Sequence, residues 1–190
     1  MIIIMFKERY KTVFLDIDGV LNSIHSLSRE PTGHVGIDTK KVNNLAKIVA
    51  AEPDVRIVLT SDWREYYTLG AYKQENRIGK YLNNKIRKAG LRIYDVLPPG
   101  PSYKRGQAIL DWLGDHPGAD PHFFIILDDK SFDFHLHGLQ DHLVKCLWDV
   151  ANPALEGLTD SLTERAIEML RGDRVGPVYD EEFEKIWKEA

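Results

Sequence analysis

Short apolar runs alternate with amphipathic helical patterns along this chain, and this alternation constrains the fold more than any other feature. The apolar runs have the length of β-strands and occupy residues 12–17, 55–59, 91–96, 122–127 and 143–147. Apolar residues recur at helical spacing in residues 38–51, 74–89, 103–113 and 159–171. Strands that alternate with helices form parallel sheets covered on both faces. We therefore expect an α/β fold with a three-layer, doubly wound, Rossmann-like parallel sheet.

Local signals mark the ends of several predicted helices. Asp38 precedes the first helical pattern and is a suitable N-cap residue. Gly90 follows the second pattern as a stop signal. In the last pattern, Ser161 and Glu164 have the spacing of a capping box.

The length and composition are those of one folded domain. The chain has 190 residues, of which 43% are hydrophobic and 28% charged. We expect a single domain over residues 1–190, with its core at about 12–171, an N-terminal arm at 1–11 and a helical tail at 172–190. The apolar run at residues 1–6 is too short to span a membrane, so it is predicted to be an extra strand or a packed arm.

Charge and cysteine content limit the possible settings and partners. The formal net charge is −4, which argues against extended nucleic-acid binding through bulk positive charge but allows a local patch that binds the end of a strand. The single cysteine, Cys146, lies in an apolar run and is predicted to be a buried thiol. A reducing, cytoplasmic location fits this content, and we expect no membrane partner.

Two carboxylates follow the first predicted strand. One residue separates Asp16 from Asp18, and Gly19 allows the backbone to turn sharply. Carboxylates this close repel each other and need a cation or a shared proton. Mg²⁺ favours such oxygen ligands and bridges them to phosphate. Taken alone, the pair also fits a solvated Asp-Gly turn.

Polar groups suited to phosphate binding follow later in the chain. Thr60 and Ser61 end the second strand, where a hydroxyl and free backbone N–H groups can hold a phosphate oxygen. Lys104 begins the helix at 103–113 and can neutralise a phosphate, with the adjacent Arg105 as the alternative cation. Each of these signals also has an ordinary structural explanation, as a helix cap or a solvated surface residue.

Asp128 and Asp129 follow five apolar residues at the end of the fourth strand. The carboxyl ends of parallel strands meet at one edge of a sheet, which is where ligands bind in such folds. The order of an acidic pair, a hydroxyl, a basic residue and a second acidic pair therefore predicts a metal-assisted phosphate site at that edge.

These segments resemble the four motifs of haloacid dehalogenase (HAD) phosphatases. The matching segments are FLDIDGVLN at 14–22, LTS at 59–61, KRGQAI at 104–109 and ILDD at 126–129. More narrowly, the chain resembles the HAD domains associated with RNA-repair proteins, through SDWRE at 61–65, the Ile-x-x-Trp-Leu pattern at 109–113 and Gly-Leu-Thr at 157–159. The similarity covers about residues 12–171 and implies a HAD-like core.

The resemblance implies a mechanism for part of the site. Asp16 would attack phosphorus and form an aspartyl-phosphate. Asp18 would protonate the leaving oxygen and then activate the hydrolytic water. Mg²⁺ would be held by Asp16, the backbone carbonyl of Asp18 and Asp128, with Asp129 binding directly or through water.

The same resemblance implies that Thr60 or Ser61, together with Lys104, binds the oxygens of the transferred phosphoryl group. The choice between the two hydroxyls depends on the strand register. Trp63 and Arg64, just beyond them, are candidate substrate contacts, since they could stack a base and hold a second phosphate. A core position for the tryptophan and a salt bridge for the arginine are the structural alternatives.

Neither of the segments that carry cap domains in many HAD enzymes is long enough here for a folded cap. We expect a minimal cap or none, with residues 22–36 as a local lid and residues 62–77 as a second specificity element. An open site favours a large phosphorylated substrate, such as a nucleic-acid end, or a nucleotide or phosphoprotein. The alternative functions are a receiver-like signalling module, a phosphate-binding module without catalysis, and phosphoryl transfer to an acceptor other than water.

Overall fold

The computed structural model describes residues 9–68, 71–72 and 76–180, and the element order in these ranges confirms the α/β prediction. The strands are β1 (Tyr10–Leu15), β2 (Val55–Leu59), β3 (Tyr67–Thr68), β4 (Ala71–Tyr72), β5 (Ile93–Val96), β6 (Ala119–Asp128) and β7 (Leu143–Lys145). The α-helices are α1 (Thr39–Ala50), α2 (Arg77–Lys88), α3 (Arg105–Asp115) and α4 (Asp160–Arg171). The main sheet has the order β5-β2-β1-β6-β7 with every pairing parallel, and β3 and β4 form a separate antiparallel hairpin.

The register of the three central strands brings their carboxyl ends to one level. Leu15 of β1 is paired with Leu59 of β2 on one side and with Leu127 of β6 on the other. The next residue of each segment therefore stands at the same edge of the sheet.

Alternate side chains of β1 enter two hydrophobic cores on opposite faces of the sheet. Val13 and Leu15 pack in the core covered by α1, α2 and α4. Phe14 points to the other face and packs with Ile109 and Trp112 of α3. The Phe14 and Trp112 rings meet edge to face, with centroids 5.4 Å apart. The two cores confirm the three-layer arrangement.

The start of α4 corrects one expectation. The N-cap residue is Thr159, whose hydroxyl accepts a hydrogen bond from the Leu162 N–H at 3.1 Å. The capping box predicted from Ser161 and Glu164 is wrong, because the helix begins before Ser161 and places it in the first turn. Asp38 occupies the N-cap position of α1, but its side chain makes no capping hydrogen bond.

The two segments that could carry a cap are short in the described ranges. Between β1 and α1 the chain forms a loop with one antiparallel bridge, from Arg29 to Val35. Between β2 and α2 lie a 3₁₀ helix, Asp62–Tyr66, and the β3–β4 hairpin. The described parts of these segments form no folded cap domain.

Most of the predicted N-terminal arm and most of the helical tail lie outside the described residues. The part of the tail that is described returns to the sheet, where Val178 makes a parallel bridge with Val144. None of the helices in the described ranges has the length and apolar character needed to cross a membrane.

Candidate active site

The strand register brings three of the predicted site residues to one edge of the sheet. Asp16, Thr60 and Asp128 directly follow the paired leucines of β1, β2 and β6. The Asp16 N–H donates to the Leu127 carbonyl at 3.0 Å, and the Thr60 N–H donates to the Leu15 carbonyl at 2.8 Å. The sheet hydrogen bonding thus continues to the site residues and fixes their backbone.

Three carboxylates at this edge could together hold a metal ion. Ligand oxygens from Asp16, Asp128 and Asp129 all lie within 4.8 Å of one another. Asp16 and Asp128 are buried. Burial and the neighbouring charge of Asp16 raise the pKa of Asp128 well above its usual range. A hard divalent cation such as Mg²⁺ fits this donor set, because it prefers carboxylate oxygens and would offset their repulsion.

Gly19 leaves room for one of these carboxylates. Its φ is +77°, a conformation that favours glycine. A Cβ atom at this position would lie 2.4 Å from the Cβ of Asp129. The glycine after the first acidic pair is therefore required both by the turn and by the second pair.

Arg105 is the buried cation of the site. Its Nη1 donates to Asp16 Oδ2 and to Asp128 Oδ2, each at 2.6 Å, and its side chain is only 3% exposed. The Nε atom of Arg105 is buried and has no hydrogen-bond partner among the described residues. The guanidinium therefore bridges two of the carboxylates and keeps an unused N–H donor.

Asp18 stands two residues beyond Asp16 and is held by two donors. Asn22 Nδ2 donates to Asp18 Oδ1 at 2.8 Å, and the Trp63 indole Nε1 donates to Asp18 Oδ2 at 2.9 Å. Desolvation raises the pKa of Asp18, against the lowering effect of these hydrogen bonds. A carboxyl group with a raised pKa is suited to donating and accepting a proton.

A cavity of about 320 Å³ lies above these groups, and its walls include Asp16, Asp18, Ser61, Arg105 and Asp129. The two candidate hydroxyls differ in their relation to it. Ser61 lines the cavity. The Thr60 hydroxyl is fully buried and has no hydrogen-bond partner in the described part of the chain. The geometry therefore favours Ser61 as the hydroxyl that faces a substrate.

The remaining predicted residues occupy different places. Lys104 is exposed and lines a neighbouring cavity, not the one that contains Asp16, so the structure does not bring it to the carboxylates. Trp63 is buried and faces Asp18, as its hydrogen bond shows. Arg64 donates to the carbonyl oxygens of Thr60 and Gly100, which ties β2 to the loop before α3.

Some residues of the site were not predicted from the sequence. Asn22, which holds Asp18, lies within the first motif and could have been found there as a short polar residue four positions on. Lys145 donates to the carbonyl oxygen of Asp129, and a lysine inside the apolar run at 143–147 was a signal for it. Phe132 and Trp148 line the cavity, and no local pattern distinguishes them from core residues.

Comparison with known proteins identifies the family of this chain. Residues 12–151 match the family described as the HAD domain in Swiss Army Knife RNA repair proteins. A comparison with curated protein sequences found no match.

Two solved structures share the fold. A protein from Mesorhizobium loti assigned as a HAD-like phosphatase is 14% identical, with 90% of each chain covered and a TM-score of 0.53. The HAD domain of the effector protein Lem4 from Legionella pneumophila is 16% identical, with 87% of this chain and 96% of that chain covered and a TM-score of 0.52. The motifs, the carboxylate cluster and the family match lead to one conclusion: the chain belongs to the HAD domains of Swiss Army Knife RNA repair proteins.

Proposed function

We propose that this protein is a phosphatase that hydrolyses phosphomonoesters through a covalent intermediate on Asp16. The observation that carries the proposal is that Asp16, Asp18 and Asp129 line one cavity. Asp16 and Asp129 also form a possible cation site with the buried Asp128. A nucleophile, an acid/base and a cation site are thus within reach of one phosphoryl group.

The first step uses both acids of the first motif. A carboxylate oxygen of Asp16 attacks phosphorus, the bond from phosphorus to the leaving oxygen breaks, and Asp18 donates its proton to that oxygen. In the second step Asp18 takes a proton from a water molecule that attacks the aspartyl-phosphate, which releases inorganic phosphate and regenerates Asp16. The raised pKa of Asp18 supports this double role.

The other residues bind and balance charge. Mg²⁺, held by Asp16, Asp128, the Asp18 backbone carbonyl and Asp129 directly or through water, would offset repulsion between the nucleophile and the phosphate. Ser61 and Arg105 face the same cavity and would bind the oxygens of the transferred group. Arg105 takes the role expected from sequence for Lys104, because it lines this cavity and Lys104 does not. Its Nε–H donor also has no partner among the residues that the structure describes.

The intermediate is best tested by acid-quench labelling with a ³²P-labelled aryl phosphate in the presence of Mg²⁺. An aryl leaving group of low pKa needs little help from Asp18, so Asp18→Asn should still form the aspartyl-phosphate and accumulate it. Asp16→Asn should show neither labelling nor turnover, and a chelator should abolish both in the wild type. Asp54→Asn is a matched control, since this exposed acid precedes β2 at the opposite end of the sheet. Labelling of Asp16→Asn would contradict the proposal.

We further propose a phosphorylated nucleic-acid end as the substrate. The family match to RNA repair proteins and the uncapped site support this choice. A 3′- or 5′-phosphorylated oligonucleotide should then show a higher kcat/KM than the matching mononucleotide. Equal efficiency on the mononucleotide would contradict the macromolecular substrate, and preference for a phosphopeptide would favour the phosphoprotein alternative.

The charges around the site suggest the direction in which a bound nucleic-acid strand would extend from it. On the α3 side, a cavity of about 480 Å³ is lined by Arg64, Lys104 and Arg105, together with three aspartates. On the side of the lid loop, a cavity of about 510 Å³ has four carboxylates and one histidine among its described lining residues. Repulsion would disfavour a polyanion on the second side, so we expect the strand to lie toward α3. We also propose a cytoplasmic location, which the buried free thiol of Cys146 supports.

A further inference from the structure

Phe132 adopts a backbone conformation that phenylalanine rarely takes. Its φ is +33°, in the left-handed region. In the described part of the chain, the other non-glycine residue with positive φ is Asp54, of a type that tolerates this region. Such strain persists only where surrounding contacts impose it, and it is often found at functional sites.

The ring of Phe132 covers the buried cation of the active site. The Arg105 guanidinium carbon lies 4.4 Å from the centroid of this ring. A cation–π contact of this kind is strongest where water is excluded, and the Arg105 side chain is almost fully buried. Phe134 meets the Phe132 ring edge to face, with centroids 6.1 Å apart, and so limits its movement. Phe132 also lines the catalytic cavity.

The next residue in the same loop fixes the backbone that carries Arg105. Helix α3 begins at Arg105, and the side chain of its N-cap residue, Lys104, makes no capping hydrogen bond. Asp133 supplies the cap from a distant segment, since its carboxylate accepts from the Gly106 N–H at 2.6 Å and the Gln107 N–H at 3.2 Å. His137 Nε2 lies 3.1 Å from the same carboxylate.

We propose that the 130–137 loop positions Arg105 for phosphoryl transfer, with Phe132 holding the guanidinium and Asp133 holding the start of its helix. An arginine side chain has many rotamers, and its alignment with a phosphoryl oxygen is lost if either anchor moves. The loop directly follows Asp128 and Asp129, so the segment that carries two of the metal-binding carboxylates also orients the cation. This inference rests on the proposed role of Arg105.

The ring contact is tested by replacing Phe132 with leucine and with tyrosine. Leucine keeps an apolar side chain but removes the aromatic face, so Phe132→Leu should lower kcat on an aryl phosphate about 10- to 100-fold. Phe132→Tyr should recover most of this loss. If Phe132 acts through Arg105, adding Phe132→Leu to Arg105→Gln should cause little further loss, whereas independent effects would multiply. Multiplying effects, or no rescue by tyrosine, would overturn the proposal.

The contact of Asp133 with the start of α3 can be tested by substituting two glycines of this helix, one as the test and one as the control. A Cβ atom at Gly106 would lie 2.9 Å from both Asp133 Oδ1 and His137 Cδ2, so Gly106→Ala should displace the Asp133 cap. A Cβ atom at Gly114 would meet nothing within 4 Å, so Gly114→Ala controls for the change of residue in the same helix. We expect a loss of kcat in the first variant and none in the second.

An NMR measurement that does not depend on catalysis tests the positioning of Arg105 separately from the proposed phosphatase activity. The Nε–H group of Arg105 should give a slowly exchanging ¹⁵N NMR signal in the wild type and in Phe132→Tyr. In Phe132→Leu and Gly106→Ala it should exchange at least about tenfold faster, while the backbone spectrum stays dispersed. Unchanged exchange in both variants would overturn the positioning role even if the enzyme hydrolyses phosphomonoesters. Faster exchange without phosphatase activity in the wild type would instead contradict the proposed function.

Discussion

The Trp63 indole N–H donates a hydrogen bond to Asp18 Oδ2 at 2.9 Å. This contact joins the segment after β2 to the segment after β1, so the proposed acid/base is oriented by a residue of a neighbouring strand end. Asn22 holds the other oxygen of the same carboxylate. Both oxygens of Asp18 are thus fixed before any substrate arrives.

We predict that Trp63→Phe lowers kcat on an aryl phosphate about tenfold, because it removes a hydrogen bond to a charged group but keeps most of the packed ring. Steady-state kinetics would measure the effect. Trp112→Phe is the matched control, because Trp112 makes the same kind of bond to Asp95 at 2.7 Å, away from the carboxylate cluster. The control should lose stability but keep kcat, and equal losses in both variants would argue against a specific role for Trp63.

Arg105→Gln should affect stability differently with and without metal. Arg105 bridges the carboxylates of Asp16 and Asp128, and removing one partner of a buried ion pair costs roughly 3 kcal/mol. In the presence of a chelator, the free energy of unfolding should fall by about this amount. Saturating Mg²⁺ should reduce the difference from the wild type, because the cation offsets the same carboxylates. Urea unfolding in the two conditions checks this, and an identical loss in both would contradict it.

Asp133→Asn should change how stability depends on pH. Burial raises the pKa of Asp133, but hydrogen bonds from the Gly106 and Gln107 N–H groups and His137 outweigh this effect and hold the pKa below its ordinary value. A lowered pKa in the folded state stabilises the protein at neutral pH, and this contribution is lost as the pH falls through that pKa.

The variant should therefore be less stable than the wild type at pH 7, by about 1 kcal/mol for a weakened helix cap. The difference should begin to shrink below about pH 4, where Asp133 of the unfolded chain becomes protonated, and should shrink further as the pH falls through the lowered pKa of the folded state. Urea unfolding at pH 7 and pH 3 measures both values. A constant difference at the two pH values would mean that the charge of Asp133 contributes nothing.

Charge reversals on the two sides of the site should have opposite effects on an oligonucleotide substrate. Glu65 lies on the acidic side and Lys104 on the α3 side. Glu65→Lys should leave KM for a phosphorylated oligonucleotide unchanged or lower it, and Lys104→Glu should raise it about two- to fivefold at low salt. Both effects should weaken as salt increases, and KM for the mononucleotide should change less. A larger rise in KM from Glu65→Lys than from Lys104→Glu would reverse the proposed direction.

The parts of the site that follow from strand ends were predictable from sequence. In a parallel sheet, an acidic residue that directly follows a buried strand lies at the edge formed by the carboxyl ends of the strands. Asp16, Asp128 and Asp129 were therefore expected to lie close together, and they do. The same reasoning could not choose between Thr60 and Ser61, because one residue of register decides which hydroxyl faces the cavity.

Contacts between distant segments were beyond the sequence patterns. The choice of Arg105 over Lys104 depends on the phase at which α3 begins, and Asp133, remote in sequence, caps that first turn. The strained conformation of Phe132 likewise leaves no local signature, since nothing in its neighbours requires a positive φ. These features arise from packing between elements, which periodicity does not describe.

The central position of β1 has a consequence for thermal inactivation. This strand is hydrogen-bonded on both sides and lies between two hydrophobic cores, so its amide protons should be among the last to exchange with solvent. The proposed nucleophile, Asp16, directly follows this strand. Fluctuations that open the lid loop or fray the edge strands should therefore leave Asp16 in place, and inactivation by heat should follow the cooperative melting of the whole sheet.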